Sequence, residues 1–489
     1  MHLAVACGAA RKGLAAAFAV ATTALVLAFA LHGAAHAQDA PRPNILYIVA
    51  DDLGWKDVGF HGSDIQTPAL DALAAQGARL EQFYAQPMCT PTRAALMTGR
   101  YPLRYGLQTG VIPQGHTYGL ATDEWLLPQA LKGAGYETAI VGKWHLGHSD
   151  PAFWPRQRGF DHQYGPLIGE IDYFTHQVDD RVDWYRDNQE VVEEGYSTTL
   201  LGDDAVKLIE GHDPAVPLFL YLAFNAVHTP YQAPQDYLDR YKDIADPSRQ
   251  AYAASATAMD DQIGRVIAAL DQKGMLANTL VLFQSDNGGV RNAAFAGAIT
   301  DMSKVVLPAD NGPYREGKAT VYEGGTRVVA LASWPGHIQP GTTVDGMIHT
   351  VDMFPTLVGL AGGDLTKGKP LDGMDVWQTI SAGQPSPRSE IVYNIEPQRA
   401  GIREGDWKLI WNTMLPQTVE LYNIAEDPSE TRNVATEHPD TVAALQKRAD
   451  ELAAEAEQPI LLQIEIKKML DGLHLPPSLP PTLDSLNAG

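Results

Sequence analysis

Four short apolar runs, each broken off abruptly by polar residues, constrain this chain more than any other feature. Residues 44–50 run into Asp51-Asp52, and residues 138–142 run into Lys143-Trp144-His145. Residues 217–224 lead to His228-Thr229-Pro230, and residues 280–285 run into Asp286-Asn287-Gly288-Gly289. Apolar runs of this length without polar alternation predict strands buried on both faces. Helical patterns fall between them, at 68–76, 125–134 and 251–270. Strands alternating with helices predict an α/β fold, a large mainly parallel sheet sandwiched by helices. Ligands of such sheets bind beyond the carboxyl ends of the strands, so the four polar segments should meet at one edge.

At 489 residues and 45% hydrophobic, the chain can bury a large core, and no internal repeat is visible. Residues 38–384 read as the catalytic domain. A turn-rich break, Gly383-Gln384-Pro385-Ser386-Pro387, opens a smaller α+β subdomain at 385–474. Short strands are predicted in it at 390–395, 401–411 and 419–424, with an amphipathic helix at 441–456. Residues 475–489 form a Pro-rich tail. The formal net charge is −23, from 36 basic and 59 acidic residues, which excludes a general affinity for nucleic acid or anionic membranes. An anionic substrate would need a local cluster of cations.

Residues 1–37 read as a signal peptide. Arg11-Lys12 precedes an apolar stretch at 14–31, and Ala35-His36-Ala37 offers a cleavage site before Gln38. The competing reading is an uncleaved anchor; the Ala-rich stretch and the A-x-A site favour removal. The mature protein is expected in the periplasm or secreted, with no stable membrane association. Cys7 lies inside that signal, so Cys89 is the sole thiol expected in the mature chain and has no partner for a disulfide. A lone cysteine can be a small buried hydrophobe. Here Thr90-Pro91-Thr92-Arg93 follows at once, and residues 94–97 read as a short helix with Pro91 in its first turn. That places Cys89 at the positive end of a helix dipole, beside Arg93, in a site suited to an anion.

Asp51, Asp52, Asp286 and Asn287 make an all-oxygen set of the kind that hard cations such as Ca²⁺ or Mg²⁺ take in preference to Zn²⁺. Either pair alone is an ordinary turn after a strand. Lys143, His145, His228 and Lys318 are each weak alone, compatible with solvated loops, a structural histidine or surface charge.

The pattern Cys89-Thr90-Pro91-Thr92-Arg93, followed by Thr98-Gly99-Arg100, resembles the signature of the type I sulfatases of the alkaline phosphatase superfamily. Thr92 stands where many members have Ser and keeps the hydroxyl. The resemblance implies that a formylglycine-generating maturation enzyme oxidises Cys89 to Cα-formylglycine. The hydrated aldehyde then has one hydroxyl to attack a sulfate ester and another to expel the product. It also implies a metal site of Asp51, Asp52, Asp286, Asn287 and the modified residue 89. Around the sulfate it implies a cationic cup of Arg93, Lys143, His145, His228 and Lys318. The implied roles follow. Asp286 assists deprotonation of the nucleophile, while the metal, Lys143 and Lys318 stabilise the sulfate oxygens. His228, with Lys318, protonates the leaving oxygen, and His145 takes the proton of the second hydroxyl.

Further segments resemble the arylsulfatase B branch, which includes N-acetylgalactosamine-4-sulfatases. They include Arg158-Gly159-Phe160-Asp161, Asp352-Met353-Phe354-Pro355-Thr356-Leu357 and Gly405-Asp406-Trp407-Lys408-Leu409, so the resemblance runs over about 43–433. The loop 169–176 is a candidate substrate-facing segment. The expected reaction is hydrolysis of aryl or carbohydrate sulfate monoesters, whether small molecules or glycans. The alternatives are a phosphonate or phosphate ester hydrolase on the same scaffold, or a noncatalytic sulfoglycan-binding protein if Cys89 stays unmodified.

Overall fold

A computed structural model describes residues 42–291, 307–413 and 416–472. The expected signal peptide and Pro-rich tail lie outside the described residues. All four apolar runs form strands, at Asn44–Ala50, Glu137–Gly142, Leu218–Ala223 and Thr279–Ser285. They run parallel in the spatial order Thr279–Ser285, Asn44–Ala50, Leu218–Ala223, Glu137–Gly142, at the centre of a ten-stranded sheet. His162–Gly165 adds a fifth parallel strand. Antiparallel partners, Ala330–Ser333 on one side and Tyr185–Arg186 on the other, continue the sheet outward.

Successive residues of one strand face opposite cores. Ile45, Tyr47 and Val49 join one apolar cluster, while Leu46, Ile48 and Ala50 join the other. The first cluster is closed by helices Cys89–Thr98, Leu127–Gly133 and Met353–Leu360, the second by Pro68–Gln76, Ser197–Gly211 and Pro247–Gln272. With both faces covered, polar alternation has no place in these strands. The helix expected at 251–270 is longer at its start, because Pro247 occupies the first turn and the Asp246 carboxylate accepts from Arg249 N at 2.8 Å.

Register aligns the strand ends. Ala50 pairs with Ser285, Val49 with Ala223, and Ala223 with Gly142. Backbone bonds carry the alignment one residue further: Asp286 N donates to Ala50 O at 3.0 Å and Lys143 N to Ala223 O at 2.7 Å. Asp51, Lys143 and Asp286 therefore leave the sheet at one level.

The C-terminal sheet has four antiparallel strands, Glu390–Ile395, Arg399–Glu404, Trp407–Asn412 and Thr418–Asn423, backed by helix Pro439–Ala454. The single strand expected at 401–411 is in fact a hairpin. Gly405 turns the chain at φ 55°, a conformation glycine adopts without a steric penalty. Helix Ile460–Gly472 was not anticipated, having only a short apolar stretch to announce it.

A fully buried ionic cluster joins this sheet to the rest. Lys408 Nζ donates to Glu323 Oε1 at 2.8 Å and lies 2.8 Å from Glu430 Oε1. The Tyr84 and Tyr393 hydroxyls donate to Glu323 at 2.8 and 3.0 Å, and Glu323 N donates to Glu430 Oε2 at 2.7 Å. Removing one partner of a buried ion pair leaves an uncompensated charge, a loss of about 3 kcal/mol or more. Lys408→Met should therefore lower the urea midpoint by a corresponding amount. An unchanged midpoint would show that the cluster contributes little.

Candidate active site

The strand ends bring every predicted site residue to one edge of the sheet or just beneath it. Helix Cys89–Thr98 begins at Cys89 itself, with Met88 still extended at φ −149°. Pro91 falls in its first turn, where a missing N–H leaves no bond unmade. The Thr92 hydroxyl donates to Gln86 O at 3.1 Å and accepts from Gln86 N at 3.0 Å, so a hydroxyl here ties the helix start to the preceding strand. Lys318 arrives from a separate loop, docked by its own N–H on Gly289 O at 3.1 Å. A Cβ at Gly288 would lie 1.7 Å from Gly324 O, so glycine is required where these loops cross.

Three buried carboxylates face three buried cations. Asp51 accepts from Lys143 Nζ, and Asp286 Oδ2 accepts from Arg93 Nε at 3.0 Å and Nη2 at 2.8 Å. Asp52 Oδ2 accepts from Lys318 Nζ at 2.8 Å, while its Oδ1 accepts from Asn287 Nδ2 at 2.8 Å. Burial and the neighbouring Asp286 push Asp51 up to about 7, against the pull of Lys143 and Arg93. Burial also opposes ionisation of Asp52, but Lys318 and His228 outweigh it and hold Asp52 at about 2. Cys89 Sγ donates to Asp51 Oδ1 at 3.4 Å, and burial with Asp286 and Asp51 pushes its thiol well up. A protonated thiol in this position is a poor nucleophile.

The group that could hold a cation differs in part from the predicted oxygen set: Asp51, Asp52, Cys89 and His228 place one ligand atom each within 4.8 Å of one another, and Asp286 is not among them, its Oδ2 being taken by Arg93. Asn287 Oδ1 is buried without a hydrogen-bond partner, a carbonyl oxygen such a cation would satisfy. Three carboxylates against three cations balance on their own. A divalent ion would leave an excess of two positive charges, to which a sulfate monoester brings one negative charge.

Above this layer opens a cavity of about 630 Å³. Cys89, His145, His228 and Lys318 line it; Arg93 and Lys143 do not. The expected cup is thus split into two tiers. Arg93 is turned down onto Asp286 and also donates to Lys143 O at 3.0 Å, and Lys143 lies fully buried on Asp51. His145, two residues after Lys143, adopts φ 59°, and its ring lines the cavity while Lys143 stays below it. Burial and Lys143 keep that ring neutral, and its Nδ1 has no partner among the described residues. His228 donates from Nδ1 to Thr229 O at 2.7 Å and presents Nε2 to Asp52 Oδ2 at 3.6 Å. Burial and Lys318 depress it to about 3, so its ring too is neutral.

The candidate loop does reach the cavity, through Gly169, Glu170, Ile171 and Asp172. Glu170 was not singled out from the sequence, since one glutamate in a loop carries no spacing signal. Nor were the opposing segments 111–114 and 177–179, which have no motif of their own.

A ten-stranded α/β sheet with cations and carboxylates gathered at one edge is an arrangement that can receive an anion. The sulfatase family pattern matches residues 43–363, and the C-terminal pattern of N-sulphoglucosamine sulphohydrolase matches 316–457. The chain belongs to the sulfatase family, whose members are sulfuric ester hydrolases. It is 39% identical to arylsulfatase J of Mus musculus over 78% of its own length, and spans 63% of that protein. It is 36% identical to N-acetylgalactosamine-6-sulfatase of Mus musculus, over 73% of this chain and 70% of that one. A crystal structure of Ps i-CgsB in complex with k-i-k-neocarrahexaose superposes with a TM-score of 0.78 at 32% identity, covering 86% of this chain and 94% of the other. These matches do not favour the phosphonate or phosphate ester hydrolase alternative.

Asp51→Asn and Asp286→Asn keep a hydrogen-bond acceptor for the buried cations but remove a carboxylate from the proposed ion site. Each should purify with well under one divalent ion per chain, measured by elemental mass spectrometry, while the unaltered protein holds about one. Full metal content in both variants would place the ion elsewhere.

Proposed function

We propose that this sulfatase cleaves sulfate monoesters of carbohydrates, and aryl sulfates as simpler analogues, at the floor of the cavity around Cys89. The observation that carries this reading is the position of Cys89 Sγ, on Asp51 and at the base of an open cavity whose wall holds Lys318 and two neutral histidines. Carbohydrate is favoured because one relative is named for N-acetylgalactosamine and one similar structure holds a neocarrahexaose. The mixture of arylsulfatase and N-acetylgalactosamine-sulfatase relatives agrees with a place near the arylsulfatase B branch.

Asp51, Asp52, Asp286 and Asn287 would hold the metal, and the hardness of this donor set favours Ca²⁺, then Mg²⁺, over Zn²⁺. When bound, that ion supplies positive charge to the sulfate oxygens and to the nucleophile. Conversion of Cys89 to Cα-formylglycine by a maturation enzyme supplies a hydroxyl nucleophile that the protonated thiol cannot. Arg93 clamps Asp286 and fixes the carboxylate that assists deprotonation. Lys143 and Lys318 orient the sulfate electrostatically. Lys318 is held protonated against burial by Asp52, and its ammonium faces the cavity beside His228. Burial first and Lys318 second disfavour a proton on His228; an anionic ester seated against Lys318 offsets the second and favours a proton on Nε2 for the leaving oxygen. His145, with Nδ1 open, accepts the proton when sulfate is expelled. The residue 1–37 pattern supports export to the periplasm or beyond. Among the described residues no helix is long and apolar enough to cross a membrane.

A sugar alcohol needs protonation as it leaves, whereas a nitrophenol needs little. His228→Ala should therefore lower kcat/KM for a sugar sulfate about a hundredfold and for para-nitrophenyl sulfate less than tenfold. Equal losses on the two substrates would move the acid role to Lys318.

A further inference from the structure

The deep tier of the site is cationic, but the chamber above it is not. Lys318 is the one lysine or arginine among the described residues that line the cavity, and its charge is already met by Asp52. Against it stand three carboxylates, Glu170, Asp172 and Asp179.

Of these three, Glu170 is the one beside His228. Its Oε2 lies 3.9 Å from His228 Nδ1, and its side chain remains 48% exposed, open to the chamber. The segment that carries it is pinned on both sides. Ile168 N donates to Asp183 Oδ2 at 2.7 Å, and a Cβ at Gly169 would strike the His145 ring at 2.3 Å. Beyond it, Gln232 Nε2 donates to Asp172 Oδ2 at 2.7 Å, and the Tyr173 hydroxyl donates to His228 O at 2.8 Å. The backbone on either side of Glu170 is therefore held in place, and its carboxylate stays over the cavity beside His228. Val111, Ile112 and Pro113 give the lining an apolar stretch. It suits the C–H face of a sugar ring while a carboxylate accepts from the ring hydroxyls.

We infer that this chamber selects a sulfate ester carried on an otherwise uncharged sugar unit. Glu170 accepts a hydroxyl of that unit and turns away a second sulfate or a carboxylate close to the reacting group. The inference rests on the reading of the cavity as the sulfatase site. A charge that does not reach the cationic tier meets three carboxylates and, among the described lining residues, no lysine or arginine besides Lys318; the formal chain charge of −23 adds to the repulsion.

The test uses the converted, metal-loaded protein with para-nitrophenyl sulfate as reporter. Monosulfated and disulfated forms of one N-acetylgalactosamine glycoside serve as competing ligands. At low salt the disulfated sugar should bind at least about tenfold more weakly than the better monosulfated form. Raising ionic strength from about 20 mM to about 500 mM should shrink that ratio several-fold by screening. Glu170→Gln, which keeps an acceptor but drops the charge, should shrink it about tenfold, and Asp179→Asn at the exposed rim by a smaller factor. Each ratio is internal to one preparation, so incomplete conversion or partial misfolding cancels. Equal or tighter binding of the disulfated sugar, or a ratio indifferent to salt and to both substitutions, would overturn the inference. Failure of the converted enzyme to hydrolyse para-nitrophenyl sulfate at all would instead overturn the sulfatase reading beneath it.

Discussion

The structure depends on one arrangement: Asp51, Asp52 and Asp286 lie side by side inside the protein, and only Lys143, Lys318 and Arg93 make that tolerable. Carboxylates buried this closely would otherwise protonate or force the loops apart. Each cation comes from a different segment, so the fold must be complete before the charges balance. Asp51 at about 7 and Asp52 at about 2 show how unevenly the compensation falls. Asp51 is the member left under strain by its neighbours, and it is also the one that holds the Cys89 thiol. A divalent cation at these oxygens relieves that repulsion and turns a neutral cluster into a receptor for an anion.

The C-terminal sheet belongs to this arrangement more than its distance in sequence suggests. Lys408 on one of its strands holds Glu323, which follows Lys318 by a single short loop. Arg315 at the start of that loop donates to the Tyr422 hydroxyl at 2.9 Å, and Arg399 donates to Ala319 O. The loop that delivers Lys318 is thus gripped from the C-terminal sheet on both sides of the lysine. The cavity around Cys89 and a buried ion cluster far along the chain are parts of one scaffold.

The central strands were legible because burial on both faces leaves an uninterrupted apolar run, and their ends were legible because acidic and basic residues stop those runs sharply. Asp51, Asp52, Asp286 and Asn287 could be singled out for the same reason, and Cys89 by the Thr90-Pro91-Thr92-Arg93 that follows it. The two tiers of cations could not be read. Nothing in Cys89-Thr90-Pro91-Thr92-Arg93 says that Arg93 turns away from the anion site onto Asp286, because that contact joins residues 193 apart in sequence. The left-handed turn at His145 is equally silent, since non-glycine residues seldom adopt it. The run at 401–411 looked like one strand because Gly405 and Asp406 interrupt it too briefly to break the apolar pattern. Glu170 has no sequence signature; its meaning comes only from the ring of His228 beside it.

The central claim is that Cys89 acts at this site only after conversion. Peptide mass spectrometry of the Cys89-containing fragment, on preparations made with differing amounts of maturation enzyme, measures the converted fraction as a loss of about 18 Da. Activity on para-nitrophenyl sulfate should rise in proportion to that fraction and vanish where the thiol is intact. Full turnover by a preparation whose Cys89 remains wholly unconverted would contradict the account.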